Sequence, residues 1–189
     1  MKEKLKAYAA ANYVPIIRDE TAGFLREFCK QHQPKTILEI GTAIGYSGLI
    51  MLEVCEALLT TIEVDEARME IAKKTLQNKK VTFILKDALV AIKELEEKCE
   101  LFDLIFLDGP KGQYVKYLPH LLKLMKKDGA MLCDNISFGG QVFNEEYPKH
   151  KHRSHILNMR KFVEEIQNDK RLNVKIYDVA DSMAVVSWK

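Results

Sequence analysis

Five short apolar runs alternate with amphipathic stretches along most of the chain, and this alternation constrains the fold more than any other feature. The runs are almost continuously apolar, as expected for parallel strands that are covered on both faces. They lie at Thr36–Ile40, Leu59–Val64, Val81–Lys86, Leu104–Leu107 and Ala130–Cys133. Strands that alternate with helices in this way predict βαβ units and a doubly wound α/β fold, with a mostly parallel sheet and helices on both faces.

The stretches between these runs and the two ends of the chain complete the predicted architecture. Helices are predicted at Ser47–Cys55, Glu66–Gln77, Ala88–Lys98, Gln113–Lys126 and Ser154–Asn168. Pro119 can bend or divide the fourth of these helices. Residues 1–33 are predicted to form an N-terminal helical segment that breaks near Val14-Pro15. The last two strands, Asn173–Asp178 and Met183–Ser187, are joined by a short loop, which indicates an antiparallel hairpin.

Composition narrows the class of protein. A chain of 189 residues is long enough for one domain that folds without disulfides, and we expect a single domain over residues 1–189. Hydrophobic residues make up 47% and charged residues 30%, which excludes disordered and fibrous classes. The net charge of +2 does not by itself indicate a nucleic-acid binder, so a site for a polyanion must be a local patch.

The expected location is the cytoplasm. The apolar runs are strand-sized, so no membrane partner is expected. The first residues carry charges without the apolar stretch of a signal peptide. The four cysteines are widely spaced, and no pair shows the short spacing of a zinc or redox site.

A glycine-containing turn follows the first predicted strand. Gly41 and Gly45 allow a sharp turn and a close approach to a ligand, and Ser47 is a candidate N-cap of the next helix. The turn matches neither the dinucleotide nor the P-loop pattern, and it contains no basic residue that could neutralise phosphates. Glu63 ends the second strand beside this turn. Its carboxylate can accept hydrogen bonds there from both hydroxyls of a ribose. A nucleoside without pyrophosphate fits these features, and S-adenosylmethionine is the obvious candidate; the alternative is a tight turn beside a solvated glutamate.

A second acidic residue follows the third predicted strand. The Asp87 carboxylate could accept a hydrogen bond from an adenine amino group, with the Ala88 backbone N–H donating to a ring nitrogen. Asp87 could equally cap the helix that follows. The sequence leaves both roles open.

Three oxygen-bearing side chains come directly after the fourth and fifth predicted strands. Asp108 follows one strand, and Asp134 and Asn135 follow the next. Ligands bind outside the carboxyl ends of the strands in such sheets, so these side chains should converge there. Hard oxygen ligands favour Mg²⁺ or a similar divalent cation. The alternative is that one aspartate caps a helix and the other is solvated.

Lys111 lies three residues after Asp108 and can reach the same space. Near a divalent cation the ammonium form is disfavoured, so a neutral amine could act as a general base. The alternative is an ordinary surface lysine. A metal with two open positions favours an acceptor with two adjacent oxygens, such as a catechol or a uracil ring with a hydroxyl next to its O4.

These motifs resemble those of the cation-dependent O-methyltransferases related to catechol and caffeoyl-CoA O-methyltransferases. The resemblance is carried by Glu39–Ser47, Ile62–Asp65, Asp87-Ala88, the Asp108 and Lys111 pair, and Asp134-Asn135. It implies the Rossmann-like class I methyltransferase fold, with a seven-stranded sheet that ends in the hairpin. It also implies metal ligands at Asp108, Asp134 and Asn135, and catalytic roles for Lys111 and Asp108. The implied S-adenosylmethionine site consists of Val14, Glu39, Gly41, Gly45, Tyr46, Ser47, Glu63, Asp87, Ala88 and Asp108.

Within this family the chain is most similar to the bacterial enzymes that methylate 5-hydroxyuridine at the tRNA wobble position to give 5-methoxyuridine. The similarity rests on Leu5–Ile16, Leu38–Ser47, Lys111–Tyr114 and a basic insert at 137–153. It implies a tRNA anticodon loop as partner, with contacts at Lys149, Lys151, Arg153 and Arg160. The insert could instead be a solvated loop.

Two further expectations follow from this similarity. A homodimer is implied, although the sequence lacks a leading helix that the family pattern has. The alternative activity is methylation of a small catechol-like molecule by the same core. A non-catalytic binding module is disfavoured, because Lys111 and the three oxygen ligands are all present.

Overall fold

A seven-stranded sheet forms the centre of the protein in a computed structural model, which describes residues 1–144, 148 and 152–189. The strands are β1 Thr36–Ile40, β2 Leu58–Glu63, β3 Val81–Leu85, β4 Phe102–Leu107, β5 Met125–Cys133, β6 Leu172–Tyr177 and β7 Met183–Trp188. Their order across the sheet is β3-β2-β1-β4-β5-β7-β6. The first five strands are parallel, and β7 pairs antiparallel with both β5 and β6. The predicted mostly parallel sheet with a C-terminal antiparallel hairpin is confirmed.

Helices cover both faces of this sheet. They are α1 Lys2–Ala11, α2 Asp19–His32, α3 Tyr46–Leu52, α4 Glu66–Thr75, α5 Ala88–Glu97, α6 Tyr114–Leu124 and α7 Arg153–Asn168, with a short 3₁₀ turn at Lys111–Gln113. The predicted break in the N-terminal segment is confirmed, because α1 and α2 are separated by residues 12–18. In the described part of the chain, no helix is both long and apolar enough to cross a membrane.

The two faces of the sheet carry separate apolar cores. Along β4, Leu104 and Phe106 pack with residues from α1, α2 and α3, whereas Ile105 and Leu107 pack with residues from α5, α6 and α7. Successive side chains of a strand point to opposite faces, so an uninterrupted apolar run supplies both cores.

The strand β5 begins five residues earlier than predicted, and the predicted helix Gln113–Lys126 ends at Leu124. Met125 has extended backbone angles and is buried, while the following Lys127 and Asp128 are exposed, so the start of the strand looks like a polar turn in the sequence. The register between β4 and β5 shifts at this point. A Cβ at Gly129 would lie 2.9 Å from the Phe102 carbonyl oxygen, so only glycine fits there. Pro119 lies inside α6 and does not divide it.

The Asp103 side chain joins the amino ends of three strands. One carboxylate oxygen accepts hydrogen bonds from the backbone N–H groups of Lys35 and Thr36, at 2.9 and 2.8 Å, and the other accepts from Lys126 Nζ at 2.8 Å. Burial alone would raise the pKa of Asp103, but these donors outweigh burial and hold the pKa below its ordinary value of 3.8. The carboxylate therefore stabilises the sheet in its ionised form.

We expect Asp103→Asn to lower the free energy of unfolding at neutral pH by about 1–3 kcal/mol, because one set of donors loses its acceptor. The folded-state pKa of Asp103 is lowered, so its contribution is present above pH 3.8 and is lost as the pH falls through the lowered value. Urea unfolding at several pH values should show the difference between the two proteins closing in acid. Asp128→Asn, at an exposed position of β5, is the control and should change stability by less than about 0.5 kcal/mol. An equal effect of both substitutions would contradict the prediction.

Candidate active site

A cleft with a volume of about 420 Å³ opens at the carboxyl ends of the parallel strands. It lies where the strand order reverses, between β1 and β4, the usual ligand position in such sheets. We call it the main cleft. Residues predicted for the site that line it are Gly41, Glu63, Asp87, Ala88, Asp108, Lys111 and Asn135.

The turn after β1 needs glycine at its first position. Gly41 has a φ of +100°, and its N–H donates to the Ile62 carbonyl oxygen at 3.0 Å. A Cβ at this position would lie 2.3 Å from the carbonyl oxygen of Asp108. The absence of a side chain at Gly41 therefore lets the turn pack against the end of β4, which brings two walls of the main cleft together.

Glu63 is not a solvated side chain, because only 8% of it is exposed. Its carboxylate accepts backbone N–H donors from Ala43 at 2.9 Å, Val64 at 2.9 Å and Asp65 at 3.0 Å. These bonds fix the carboxylate beside the turn and against the main cleft. The arrangement fits the predicted ribose-binding role, which stays a prediction.

Asp87 has the capping role that the sequence left open. Its Oδ1 accepts from the backbone N–H groups of Leu89 at 2.9 Å and Val90 at 3.2 Å, which caps α5. Asp87 and Ala88 both line the main cleft, so the cap also fixes the carboxylate at the cleft wall. Capping and the predicted adenine contact are compatible, and the second stays a prediction.

Several predicted cofactor residues lie behind the turn. In the described part of the chain, five of them are not part of the lining of the main cleft: Val14, Glu39, Gly45, Tyr46 and Ser47. Pro15, the neighbour of Val14, does line it. The N-cap prediction for Ser47 is wrong, because α3 begins at Tyr46 and Gly45 occupies the cap position with a φ of +81°. The Ser47 hydroxyl instead donates to the Glu39 carboxylate. Contacts of these five residues with a cofactor stay predictions.

Glu39 is completely buried beneath the turn. It accepts hydrogen bonds from the hydroxyls of Ser47 and Thr61, one on each carboxylate oxygen. Burial raises the pKa of Glu39 to about 7, although these two hydroxyls oppose the rise. The protonated form is thus favoured inside the fold below neutral pH.

We expect the stability of the protein to fall as the pH rises from 4.5 to about 7, because unfolded Glu39 ionises at its ordinary pKa of 4.5 and folded Glu39 near 7. The raised folded-state pKa makes this contribution complete below pH 4.5. In Glu39→Gln this loss should be absent. The free energy of unfolding of the variant, relative to that of wild type, should therefore rise by roughly 3 kcal/mol between about pH 4 and pH 8. Urea unfolding of both proteins at the two pH values measures the gain. A constant difference between them would contradict the prediction.

A smaller pocket of about 300 Å³ adjoins the main cleft, and we call it the side pocket. Its wall includes Arg18, Asp134 and Phe138. Four residues line both cavities: Pro15, Asp108, Lys111 and Asn135. Two of the predicted metal ligands, Asp108 and Asn135, and the predicted base therefore lie at the boundary between the two cavities, and the third ligand, Asp134, lines the side pocket next to it.

Asp134 is buried at this boundary, with 1% of the residue exposed. Its Oδ1 accepts from the Asn135 backbone N–H at 2.9 Å and from Thr21 Oγ1 at 3.4 Å. Burial raises the pKa of Asp134 to about 6, and the charge of Asp108 adds to the rise while Lys111 opposes it. Asp134 is therefore not a solvated carboxylate, and Asp108 lies near it, because Lys111 Nζ contacts both Asp108 Oδ1 and the Asp134 backbone carbonyl oxygen.

The donor set at this boundary suits a hard divalent cation. Asp108 and Asp134 offer carboxylate oxygens and Asn135 offers an amide oxygen, which are ligands that Mg²⁺ prefers. No group of three His, Cys, Asp or Glu side chains converges in residues 1–144, 148 and 152–189, so the set depends on Asn135 as its third member. The residues fit such an ion, and Mg²⁺ itself stays a prediction.

Lys111 is held by three acceptors. Its Nζ donates to Asp108 Oδ1 at 2.8 Å, to the Tyr114 hydroxyl at 2.9 Å and to the Asp134 carbonyl oxygen at 3.1 Å. The Tyr114 hydroxyl in turn donates to the Leu107 carbonyl oxygen at 2.9 Å. An ammonium group has three donors, so all of them are used. Lys111 is therefore not an ordinary surface lysine, and its role as a base stays a prediction.

Sequence reasoning assigned no role to Tyr114, which is completely buried. Its position three residues after Lys111, at the start of a helix, was the available signal. Burial raises the pKa of Tyr114 well above its ordinary value, and nearby Asp108 adds to the rise, so the phenol stays protonated. Tyr114 positions Lys111 rather than reacting itself.

We expect Tyr114→Phe to lower kcat by about tenfold to a hundredfold, because Lys111 loses one of its fixed partners. The affinity for S-adenosylhomocysteine should stay unchanged, since the Tyr114 phenol is not part of the lining of the main cleft. Steady-state kinetics and calorimetric titration measure the two quantities. Tyr177→Phe, at an exposed position on β6, is the control. A parallel loss of cofactor affinity would indicate a general disturbance of the site instead.

The predicted tRNA contacts are only partly described. Lys149 and Lys151 lie outside the described residues. Arg153 begins α7, and its Nε donates to the Pro148 carbonyl oxygen at 3.3 Å. Arg160 donates to the carbonyl oxygens of Gln141 and Asn144, so it fixes the described part of the insert. Contacts of these four residues with RNA stay predictions.

The fold, the cleft and the methyl-transfer motifs agree with one family of enzymes. The whole chain, residues 1–189, matches the protein family described as O-methyltransferase. The chain therefore belongs to the O-methyltransferase family. This membership confirms the predicted class, an S-adenosylmethionine-dependent O-methyltransferase of the caffeoyl-CoA and catechol type.

Individual relatives agree with this assignment. A caffeoyl-CoA O-methyltransferase of Populus kitakamiensis is 28% identical over 196 residues, which cover 95% of this chain and 80% of that protein. A catechol O-methyltransferase of Niastella koreensis is 30% identical over 129 residues, 65% of this chain and 58% of that protein. The crystal structure of an O-methyltransferase from Bacillus cereus in complex with SAH has the same fold, with a TM-score of 0.87 and 24% identity over 100% of this chain and 90% of that one.

Proposed function

We propose that the protein transfers the methyl group of S-adenosylmethionine to the 5-hydroxyl of 5-hydroxyuridine at the wobble position of tRNA, in the cytoplasm. The observation that carries the methyl-transfer part is the boundary between the two cavities. Asp108, Lys111 and Asn135 line both of them, so a methyl donor in the main cleft and an acceptor in the side pocket would meet at the same groups. Proximity of this kind supplies much of the barrier reduction in a displacement reaction.

The roles of the residues follow from their positions. In the main cleft, Glu63 would hold the ribose hydroxyls, and Asp87 with the Ala88 N–H would hold the adenine. At the boundary, Asp108, Asp134 and Asn135 would hold Mg²⁺. A bound divalent cation acidifies a hydroxyl and fixes its direction.

The reaction is an in-line displacement. The acceptor oxygen forms a bond to the methyl carbon while the carbon–sulfur bond breaks, and sulfur keeps the electron pair, giving S-adenosylhomocysteine. The hydroxyl proton would pass to Lys111 Nζ after the ammonium group has released one of its own protons to solvent. Asp108 and Tyr114 keep Nζ in place during this step.

Two residues of the side pocket support a nucleotide as the acceptor. Arg18 offers a guanidinium that can pair with a phosphate, and Phe138 offers a ring on which a base can stack. Phe138 is held beside the rings of His152 and His155, at centroid distances of 5.5 and 6.5 Å. A free catechol carries no phosphate and would leave Arg18 without a role.

The alternative is a small catechol-like acceptor. It is favoured by the relative from Niastella koreensis that is named a catechol O-methyltransferase. The two activities share the main cleft and the metal ligands, so they differ in what the side pocket must recognise. The homodimer expected from the sequence stays a prediction in either case.

Nucleoside mass spectrometry of tRNA from a strain that lacks the gene tests the proposal. We expect 5-methoxyuridine to disappear and 5-hydroxyuridine to accumulate, with recovery on complementation by wild type but not by Asp134→Ala. Unchanged 5-methoxyuridine would overturn the tRNA substrate.

Purified enzyme separates the two acceptors. We expect Arg18→Ala to raise the KM for tRNA about tenfold, because one phosphate contact is lost, and to leave turnover of a free catechol unchanged. Arg68→Ala would be a poor control because Arg68 lines the main cleft. Lys30→Ala, at an exposed position of α2, is the matched control. Efficient turnover of a catechol at micromolar KM by wild type, with no activity on tRNA, would favour the alternative.

A further inference from the structure

A second groove lies at the opposite edge of the sheet from the main cleft. It has a volume of about 570 Å³, and we call it the basal groove. Leu101 precedes β4, Met125 begins β5, and Trp188 ends β7, which runs antiparallel to β5. The amino ends of the parallel strands therefore form its floor. Strands of six residues separate it from the main cleft by about 20 Å, so it takes no part in the methyl transfer.

The wall of the basal groove is strongly basic. In the described part of the chain, it contains four cationic side chains and no acidic one: Lys123, Lys126, Lys127 and Arg171. Three of them have carboxylate partners outside the lining, at Glu96, Asp103 and Asp169. Lys126 is committed to Asp103, and Arg171 uses Nε and Nη2 for Asp169, which leaves its Nη1 for an anion. The exposed Lys127 has no carboxylate partner among the described residues.

An aromatic ring lies among these cations. Lys127 Nζ is 4.6 Å from the centroid of the Trp188 ring, and the Arg171 guanidinium is 5.7 Å from it. The indole Nε1 donates to the Met125 carbonyl oxygen at 3.3 Å, which fixes the ring against the sheet. Both cations lie over the ring, so a base that stacks on the fixed indole takes the place of the exposed Lys127 ammonium, which stays close enough to pair with the phosphate.

We infer that the basal groove binds a nucleoside monophosphate unit, with the base stacked on Trp188 and the phosphate held by Lys127 and Arg171. The unit is either a free nucleotide or one residue of an RNA strand, since both present the same ring and phosphate. This inference does not depend on the identity of the methyl acceptor. It concerns a surface on the far side of the sheet from the reaction.

The fluorescence of Trp188 tests the inference directly, because it is the single tryptophan of the chain. Adenosine monophosphate is titrated into the full-length protein in the presence of saturating S-adenosylhomocysteine, which blocks adenine binding in the main cleft. We expect saturable quenching by adenosine monophosphate and much weaker binding of inorganic phosphate, which cannot stack. If neither adenosine monophosphate nor RNA quenches the fluorescence saturably, up to about 10 mM nucleotide units, the inference is overturned.

Matched lysine variants connect the signal to the groove. Lys127→Ala should weaken the affinity about tenfold, because it removes a phosphate donor at the ring. Lys74→Ala, at an exposed position of α4, should bind like wild type. Equal affinities of the two variants would overturn the assignment of the phosphate site. Circular dichroism of both variants shows whether they are folded.

A single-stranded RNA oligomer distinguishes the two sources of the unit. Affinity at least about tenfold tighter than that of adenosine monophosphate, with a steep dependence on salt, identifies an RNA strand as the occupant. Binding of the mononucleotide with no gain for the oligomer identifies a free nucleotide. Both results support the basal groove as a nucleotide site.

Discussion

The parallel register of β4 and β5 is the constraint on which the candidate site depends. Leu107 pairs with Cys133, and the Asp134 N–H donates to the Leu107 carbonyl oxygen at 3.0 Å, so the next residues of the two strands come together. Two carboxylates at this position repel each other, and Lys111 is held beside them by hydrogen bonds to the Asp108 carboxylate, the Tyr114 hydroxyl and the Asp134 backbone carbonyl. The protein thus assembles a charged centre from strand ends in a buried setting, where a misplaced charge would be costly.

The same register explains why two cavities share one wall. The residues that follow β4 and β5 point outward from the carboxyl edge of the sheet, and the main cleft and the side pocket open on either side of them. The turn after β1 leaves room for both, because Gly41 has no side chain that would clash with the end of β4. Glu39 is buried beneath this turn, where the hydroxyls of Ser47 and Thr61 donate hydrogen bonds to it. The chemistry therefore rests on backbone geometry as much as on reactive side chains.

The sequence predicted the strands well because apolar runs that supply two cores have few alternative structures. It also placed Glu63, Asp87 and Asp108 correctly at the main cleft, since strand ends in this fold share one edge. It missed the early start of β5, where Lys127 and Asp128 are compatible with a turn and the strand is recognised only because Met125 pairs with Phe102 before the register shifts. The partnership of Tyr114 with Lys111 and the basal groove around Trp188 were not visible, because they join residues through tertiary contacts that no local pattern records.

The segment between α1 and α2 supplies Pro15 to both cavities and Arg18 to the side pocket, although it belongs to no strand of the sheet. The helix before it is anchored by few buried side chains, Leu5 and Ala9. Local opening of these first residues would therefore cost much less free energy than unfolding of the sheet, and it would uncover the cavities without disturbing the charged centre. Access to both cavities can then depend on opening of α1 and the segment after it, while α2, whose Thr21 donates to Asp134, stays fixed with the charged centre.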